Sequence, residues 1–168
     1  MIVETIRHFG EWLAATAMSS TIQTVPWIIP TVQTIHILCV ALVMAAVFIV
    51  DLRILGVLAR SQTLAVLTHR YLTWIWYLLP VLFLSGAILI IGEPARSILN
   101  PAFGGKMLML IVAALLTRSI QRPLRNATEF WESSPQRRAA VQGIAVLSLV
   151  LWSCIVFAGR WIAYVGSL

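Results

Sequence analysis

Two long uncharged stretches limit how this chain can fold more than any other feature. Residues 71–92 contain no charged side chain, and neither do residues 139–159, so the two stretches hold 22 and 21 uncharged residues. A hydrocarbon core about 30 Å thick needs roughly 20 helical residues to cross it. Backbone groups inside lipid must find their hydrogen bonds within the protein, and a helix meets that condition by itself. We therefore predict transmembrane helices at 71–92 and 139–161.

Composition supports a membrane class for the rest of the chain. Of the 168 residues, 60% are hydrophobic and 11% are charged, whereas a soluble domain carries about 25% charged residues. The net charge of +6 raises nucleic acid as a partner. Its cationic residues, however, lie between apolar segments and form no patch on a polar domain, so we expect no nucleic-acid binding. The lipid bilayer is the expected surrounding.

The distribution of cationic residues predicts two further spans and an orientation. We place a first span at 30–58 and a third at 104–122, although the third contains Lys106. With four spans, one side of the membrane carries Arg53, Arg60, Arg70, Arg118, Arg122, Arg125, Arg137 and Arg138, and the other carries Arg7, Arg96, Lys106 and Arg160. The positive-inside rule then places both termini on the outer side of a bacterial cytoplasmic membrane.

The N-terminal segment is predicted to be an amphipathic helix over 2–20. Its apolar residues Ile2, Ile6, Phe9 and Leu13 are spaced four, three and four apart, which is helical spacing. Such a helix lies along a membrane interface, here the outer one. The predicted fold class is therefore all-α: an integral membrane four-helix bundle with an N-terminal amphipathic interfacial helix, forming one membrane domain over 1–168.

Ionisable groups inside a membrane are costly and need a reason. His36 lies early in the first span, about 9 Å in from Pro30 at a rise of 1.5 Å per residue. It is either hydrogen-bonded to a neighbouring helix or a metal or haem-iron ligand through its neutral imidazole. Lys106 is expected in the same leaflet. It either extends to the headgroups or lies within the bundle, where it could transfer a proton, pair with a carboxylate or ligate iron.

Other candidates surround this pair. His8, on the polar side of the N-terminal helix, could be a second axial ligand. Cys39 lies three residues after His36, a spacing that would permit a soft-metal site, although small packing residues are the commoner role of membrane cysteines. His69 is expected at the inner face, where it is either an interfacial histidine or a ligand of a second haem.

Asp51 ends the first span. We expect it to form an ion pair with Arg60, Arg70 or Arg118.

Three segments resemble a group of small four-helix membrane proteins. They are HILCVALVMAAVFIVDLRILG in the first span, YLTWIWYLLPVLFLSGAIL in the second and NPAFGGKMLMLIVAAL opening the third. The chain is similar here to HemJ-type protoporphyrinogen oxidases and copper-resistance D domain proteins, and closest to an uncharacterised branch of that group. In HemJ-like proteins a histidine early in the first helix and a lysine opening the third are the functional positions, associated with b-type haem. The resemblance places these roles on His36 and Lys106.

These observations lead to three functional expectations. The first is a haem b-binding protein with an electron-transfer or redox role. In it His36 is an axial ligand, and Lys106 lies near the cofactor and has a catalytic role. Arg96 and Arg160 are available to the haem propionates. Its partner would be a redox protein or a quinone- or porphyrin-like molecule. The second is a copper-binding or copper-transport protein of the copper-resistance D type, using His36, Cys39 and nearby methionines. The third is a non-enzymatic membrane accessory subunit.

Overall fold

The described part of the chain is helical, with no strand. The computed structural model describes residues 2–58, 61–98, 100–126 and 134–165. The helices are α1 (Ile2–Ala14), α2 (Ala17–Thr24), α3 (Ile28–Ile54), α4 (Leu64–Leu67), α5 (Thr73–Gly92), α6 (Pro94–Ile98), α7 (Pro101–Asn126) and α8 (Pro135–Val165), and a π-helical turn at Thr68–Leu72 joins α4 to α5.

Four of these segments are long and apolar enough to cross a membrane. They cover Ile28–Ile54, Leu64–Gly92, Phe103–Gln121 and Pro135–Trp161. The predicted class, an all-α membrane helical bundle, is therefore confirmed. The third segment is included despite Lys106, the residue that made this span hard to recognise.

Proline, threonine and glycine set several of the helix ends. The helices α6, α7 and α8 each begin with a proline, a position where the missing N–H is not needed and the fixed φ suits the helix. The Thr63 hydroxyl accepts a hydrogen bond from the Val66 N–H and caps α4. After α3, Gly56 adopts a φ of 75°, a left-handed conformation that commonly ends helices and that glycine adopts without strain.

The N-terminal segment differs from the single helix predicted over 2–20. Two helices are present instead, because α1 ends at Ala14 and α2 begins at Ala17. The side chain of Thr16 accepts from the Ser19 N–H and so caps α2, and the same hydroxyl donates to the Leu13 carbonyl, 2.7 Å away, at the end of α1. A hydroxyl that satisfies both helix ends makes the break favourable.

The second span also begins earlier than the predicted residue 71. Its helical structure extends back to Leu64 through the π-helical turn. Pro80 lies inside α5, and because it has no N–H the carbonyl four residues earlier lacks its usual helical partner.

The described chain divides into two compact units. The first unit consists of Met1–Val40, Pro80–Leu108 and Val156–Leu168. Within it, α1 packs against α6, and the Gln23 side chain donates to the Gly92 carbonyl at 2.9 Å. Ile22 lies directly against Gly92, since a Cβ there would be 2.9 Å from the Ile22 Cγ2 atom. These contacts attach α2 to the end of α5.

The second unit consists of Ala41–Leu79 and Met109–Ile155. Its core follows helical spacing: buried residues on α3 include Val43, Val47, Val50 and Ile54, and those on α8 include Val141, Ala145, Ser148, Trp152 and Ile155. Steps of three and four residues place these side chains on one face of each helix.

Candidate functional site

His36 forms one side of a small polar site in the first unit. Its ring is half-buried on α3, and its Nδ1 atom lies 2.8 Å from the Ser85 hydroxyl of α5. Ser85 Oγ is in turn 2.7 Å from the carbonyl of Val81, one helical turn earlier. Ser85 thus connects the imidazole to the backbone of a second helix.

This arrangement favours one of the two neutral tautomers of His36. The Ser85 hydroxyl has one hydrogen, and it lies within donating distance of the Val81 carbonyl, an acceptor that hydroxyls in helices commonly use. When that bond is made, Ser85 Oγ accepts from a protonated Nδ1 atom of His36; the roles of donor and acceptor at this contact follow the tautomer. In the Nδ1–H tautomer the Nε2 atom keeps its lone pair and can act as an acceptor or ligand.

A glycine lies against the His36 ring. A Cβ built on Gly86 would be 3.5 Å from the Cε1 atom of His36, which is ordinary contact distance. Cε1 is bonded to both ring nitrogens, so the backbone of α5 approaches the ring at the edge that Nδ1 and Nε2 share. The absence of a side chain at Gly86 keeps this edge of the imidazole uncovered on the α5 side.

Lys106 lies close to this site. It is half-buried on α7, and a Cβ built on Gly159 of α8 would be 3.2 Å from its Nζ atom. The ammonium group therefore rests against the backbone of α8, where any larger side chain would crowd it. Lys106 and His36 are near enough to interact electrostatically, and no carboxylate forms an ion pair with Lys106 among the residues that the structure describes. The first unit thus brings the two principal candidates together.

The remaining candidates of this site are placed differently. The His8 side chain is 77% exposed, and its Nδ1 atom is 3.9 Å from Glu11 on the same helix, so the structure does not bring it to His36. Arg160 follows Gly159 on α8 and is exposed. Arg96 belongs to α6, but its side chain lies outside the described residues.

Two further candidates lie outside this site. His69 is exposed in the π-helical turn, and Cys39 is buried with a free thiol.

Asp51 does not form the ion pair expected with Arg70 or Arg118. The guanidinium groups of these arginines lie over the rings of Tyr71 and Trp76, at 6.0 and 5.5 Å from the centroids. Arg60, the third expected partner, lies outside the described residues.

Comparison with known proteins identifies the family to which the chain belongs. A family model described as "Family of unknown function (DUF6644)" matches residues 9–165, which is nearly the whole chain. The chain belongs to the DUF6644 family. No characterised protein sequence and no solved structure matches it significantly. The DUF6644 match includes every residue of the site around His36 and begins one residue after His8.

Sequence reasoning missed three residues of the site around His36: Ser85, Gly86 and Gly159. One signal was present for the first, since Ser85 is a hydroxyl residue in the uncharged stretch 71–92, and polar groups at membrane depth usually have a partner. Glycines are common in membrane helices and gave no comparable signal. Their importance depends on which side chain faces them, and only the structure shows that.

Proposed function

We propose that this DUF6644 protein binds haem b and has an electron-transfer or redox role, with His36 as an axial iron ligand through Nε2. The observation that supports the proposal is the hydrogen bond between His36 Nδ1 and the Ser85 hydroxyl, 2.8 Å long. Histidines that ligate metals almost always donate the other ring N–H to a fixed acceptor, which sets the tautomer and the ring orientation. The contact of His36 Nδ1 with Ser85 fits this arrangement and would leave Nε2 for the iron.

The set of donor groups fits haem better than a bare copper ion. Among the described residues, no group of three or more histidine, cysteine, aspartate or glutamate side chains lies together. A haem brings four nitrogen donors of its own, so one imidazole is sufficient to hold the iron on one side. Gly86 is compatible with the same ligand, because the Cε1 edge of the ring, between the two nitrogens, faces a residue without a side chain.

Lys106 would be the cation of the site. Haem b carries two propionate carboxylates, and an ammonium group with no described carboxylate partner is a suitable counter-charge for one of them. Arg160 and Arg96 remain candidates for the other. His8 would have to leave its present position beside Glu11 to supply a second axial ligand.

In this proposal haem would supply one-electron chemistry, and the chain's own residues determine its setting. Ser85 fixes the ring of His36, and Lys106 places a positive charge beside the site, where it could also hold or move a proton at Nζ. A redox protein or a quinone- or porphyrin-like molecule would exchange the electrons. We also propose kinship with HemJ-type and copper-resistance D proteins, on the three segments quoted above.

We further propose an orientation in the bacterial cytoplasmic membrane, with both termini outside. The basis is the excess of arginines in residues 53–70 and 118–138, which the four-span arrangement places on one side. Reporter fusions at either terminus test it: activity of an outside-specific reporter at both ends is expected, and activity of an inside-specific reporter at either end would contradict it.

Absorption spectroscopy tests the haem proposal. The protein is expressed with sufficient haem, purified in detergent and measured in oxidised and reduced form. We expect a Soret band that is lost or displaced in His36→Ala and unchanged in His69→Ala, whose side chain is exposed outside the site. A protein without a Soret band, or a band equal in wild type and His36→Ala, would overturn the proposal.

The same purified protein distinguishes the other two functions. About one equivalent of copper without haem, lost in His36→Ala, would support the copper alternative. Neither haem nor copper, with normal folding of a variant carrying both His36→Ala and Lys106→Ala, would support a structural accessory subunit.

A further inference from the structure

The second unit contains a buried carboxyl group whose environment is unusual. Asp51 is only 3% exposed on α3, within a segment long and apolar enough to cross a membrane. Its one described side-chain partner is Ser148 of α8, which hydrogen-bonds to the carboxyl group. The Oδ2 atom is buried and has no hydrogen-bond partner.

No charge is present to balance an ionised Asp51 among the described residues of this unit. On α3, Arg53 donates to the Gln62 carbonyl. On the segment from Leu64 to Leu79, His69 and Arg70 are exposed, and on α8 so are Arg137, Arg138 and Cys154. On α7, Arg118 lies over Trp76, and the side chains of Arg122 and Arg125 are outside the described residues. Among the buried residues that the structure describes in this unit, Asp51 alone has a titratable side chain.

Three further polar side chains buried in this unit are neutral. Thr68, Thr117 and Trp152 are buried in the same unit, and each has a side-chain polar atom without a hydrogen-bond partner. Trp152 is one helical turn from Ser148, on the same face of α8. Neutral donors of this kind do not remove the free-energy cost of burying a negative charge. Without a counter-ion that cost is on the order of several kcal/mol.

We propose that Asp51 is a proton-binding site: Oδ2 carries a proton, Oδ1 accepts from Ser148, and the group exchanges that proton with water. The exchange is a simple acid–base step. The O–H bond at Oδ2 breaks, the electron pair stays on the carboxylate, and water accepts the proton; uptake is the reverse. The site lies in the second unit, whereas His36 and Lys106 lie in the first, so it does not depend on haem binding.

Infrared spectroscopy of the full chain in lipid vesicles tests this directly. A protonated carboxyl gives a C=O stretching band separate from those of carboxylates and amides, and deuterium exchange displaces it. We expect such a band at neutral pH, its loss in Asp51→Asn, and its persistence in Glu4→Gln, where the glutamate replaced is exposed. A spectrum at neutral pH without a band that Asp51→Asn removes would overturn the proposal.

A second variant keeps the test decisive if Asp51→Asn does not fold. Ser148→Ala removes the donor to Oδ1, so the C=O band should move to higher wavenumber because the carbonyl loses its hydrogen bond. A role of Ser148 in packing alone would not move the band. An unmoved band in a folded Ser148→Ala protein would refute the assigned geometry, and a wild-type band that is absent at every pH would refute protonation itself.

Discussion

Replacing Ser85 by alanine should weaken the preference of His36 for the Nδ1–H tautomer. The hydrogen bond joins two neutral groups at 2.8 Å on a half-buried ring, where a net contribution of about 1 kcal/mol is expected. That free energy corresponds to a factor of about five in the ratio of the Nδ1–H to the Nε2–H form. We therefore expect Ser85→Ala to lower this ratio about fivefold.

Nitrogen-15 NMR of histidine-labelled protein measures the ratio, because protonated and unprotonated ring nitrogens have different chemical shifts. The measurement is made at alkaline pH, where the ring is neutral, and His36→Ala assigns the signal. Ser85→Thr is the matched control, since it keeps a hydroxyl that can bond to the Val81 carbonyl. A wild-type ring protonated mainly at Nε2, or an equal ratio in Ser85→Ala, would refute the reasoning. If haem binds, Ser85→Ala should also weaken its binding by about 10–100-fold.

Two substitutions test packing in the two units. Gly92→Ala would place a Cβ 2.9 Å from the Ile22 Cγ2 atom, so we expect a loss of about 1–3 kcal/mol and a lower unfolding temperature in mild detergent. Gly143→Ala, which meets nothing within 4 Å, should instead stabilise by about 0.5–1 kcal/mol; equal effects of the two would contradict this account. Trp76→Phe removes the donor that lies 2.7 Å from the buried Gln121 Oε1 atom and should cost about 1–3 kcal/mol in an unfolding titration. An unchanged titration would show that this hydrogen bond is replaced by another.

The sequence predicted the membrane helices well because charge is scarce and its positions separate the apolar segments. The segment containing Lys106 was accepted as a span on the distribution of arginines, and the structure has it at Phe103–Gln121. The break between α1 and α2 was missed, because it depends on one threonine hydroxyl that caps in both directions. The apolar spacing continues across such a break and does not reveal it.

The site was predictable only in part. His36 and Lys106 could be selected because each is ionisable where lipid is expected. What each one contacts depends on the rotation of the neighbouring helices, and an apolar stretch with nearly uniform hydropathy does not fix that rotation. The same limitation applies to Asp51: an arginine partner was the reasonable expectation, and the structure has Ser148 there instead.

Lys106 is also the only lysine of the 168 residues. Amine-directed reagents therefore have a single side-chain target, set against the backbone of α8 and beside His36. A fluorophore or photocrosslinker attached there would need no engineered residue. It would report on occupancy of the space next to the imidazole in otherwise native protein, and a molecule captured by the crosslinker would be one that reaches this position in the membrane.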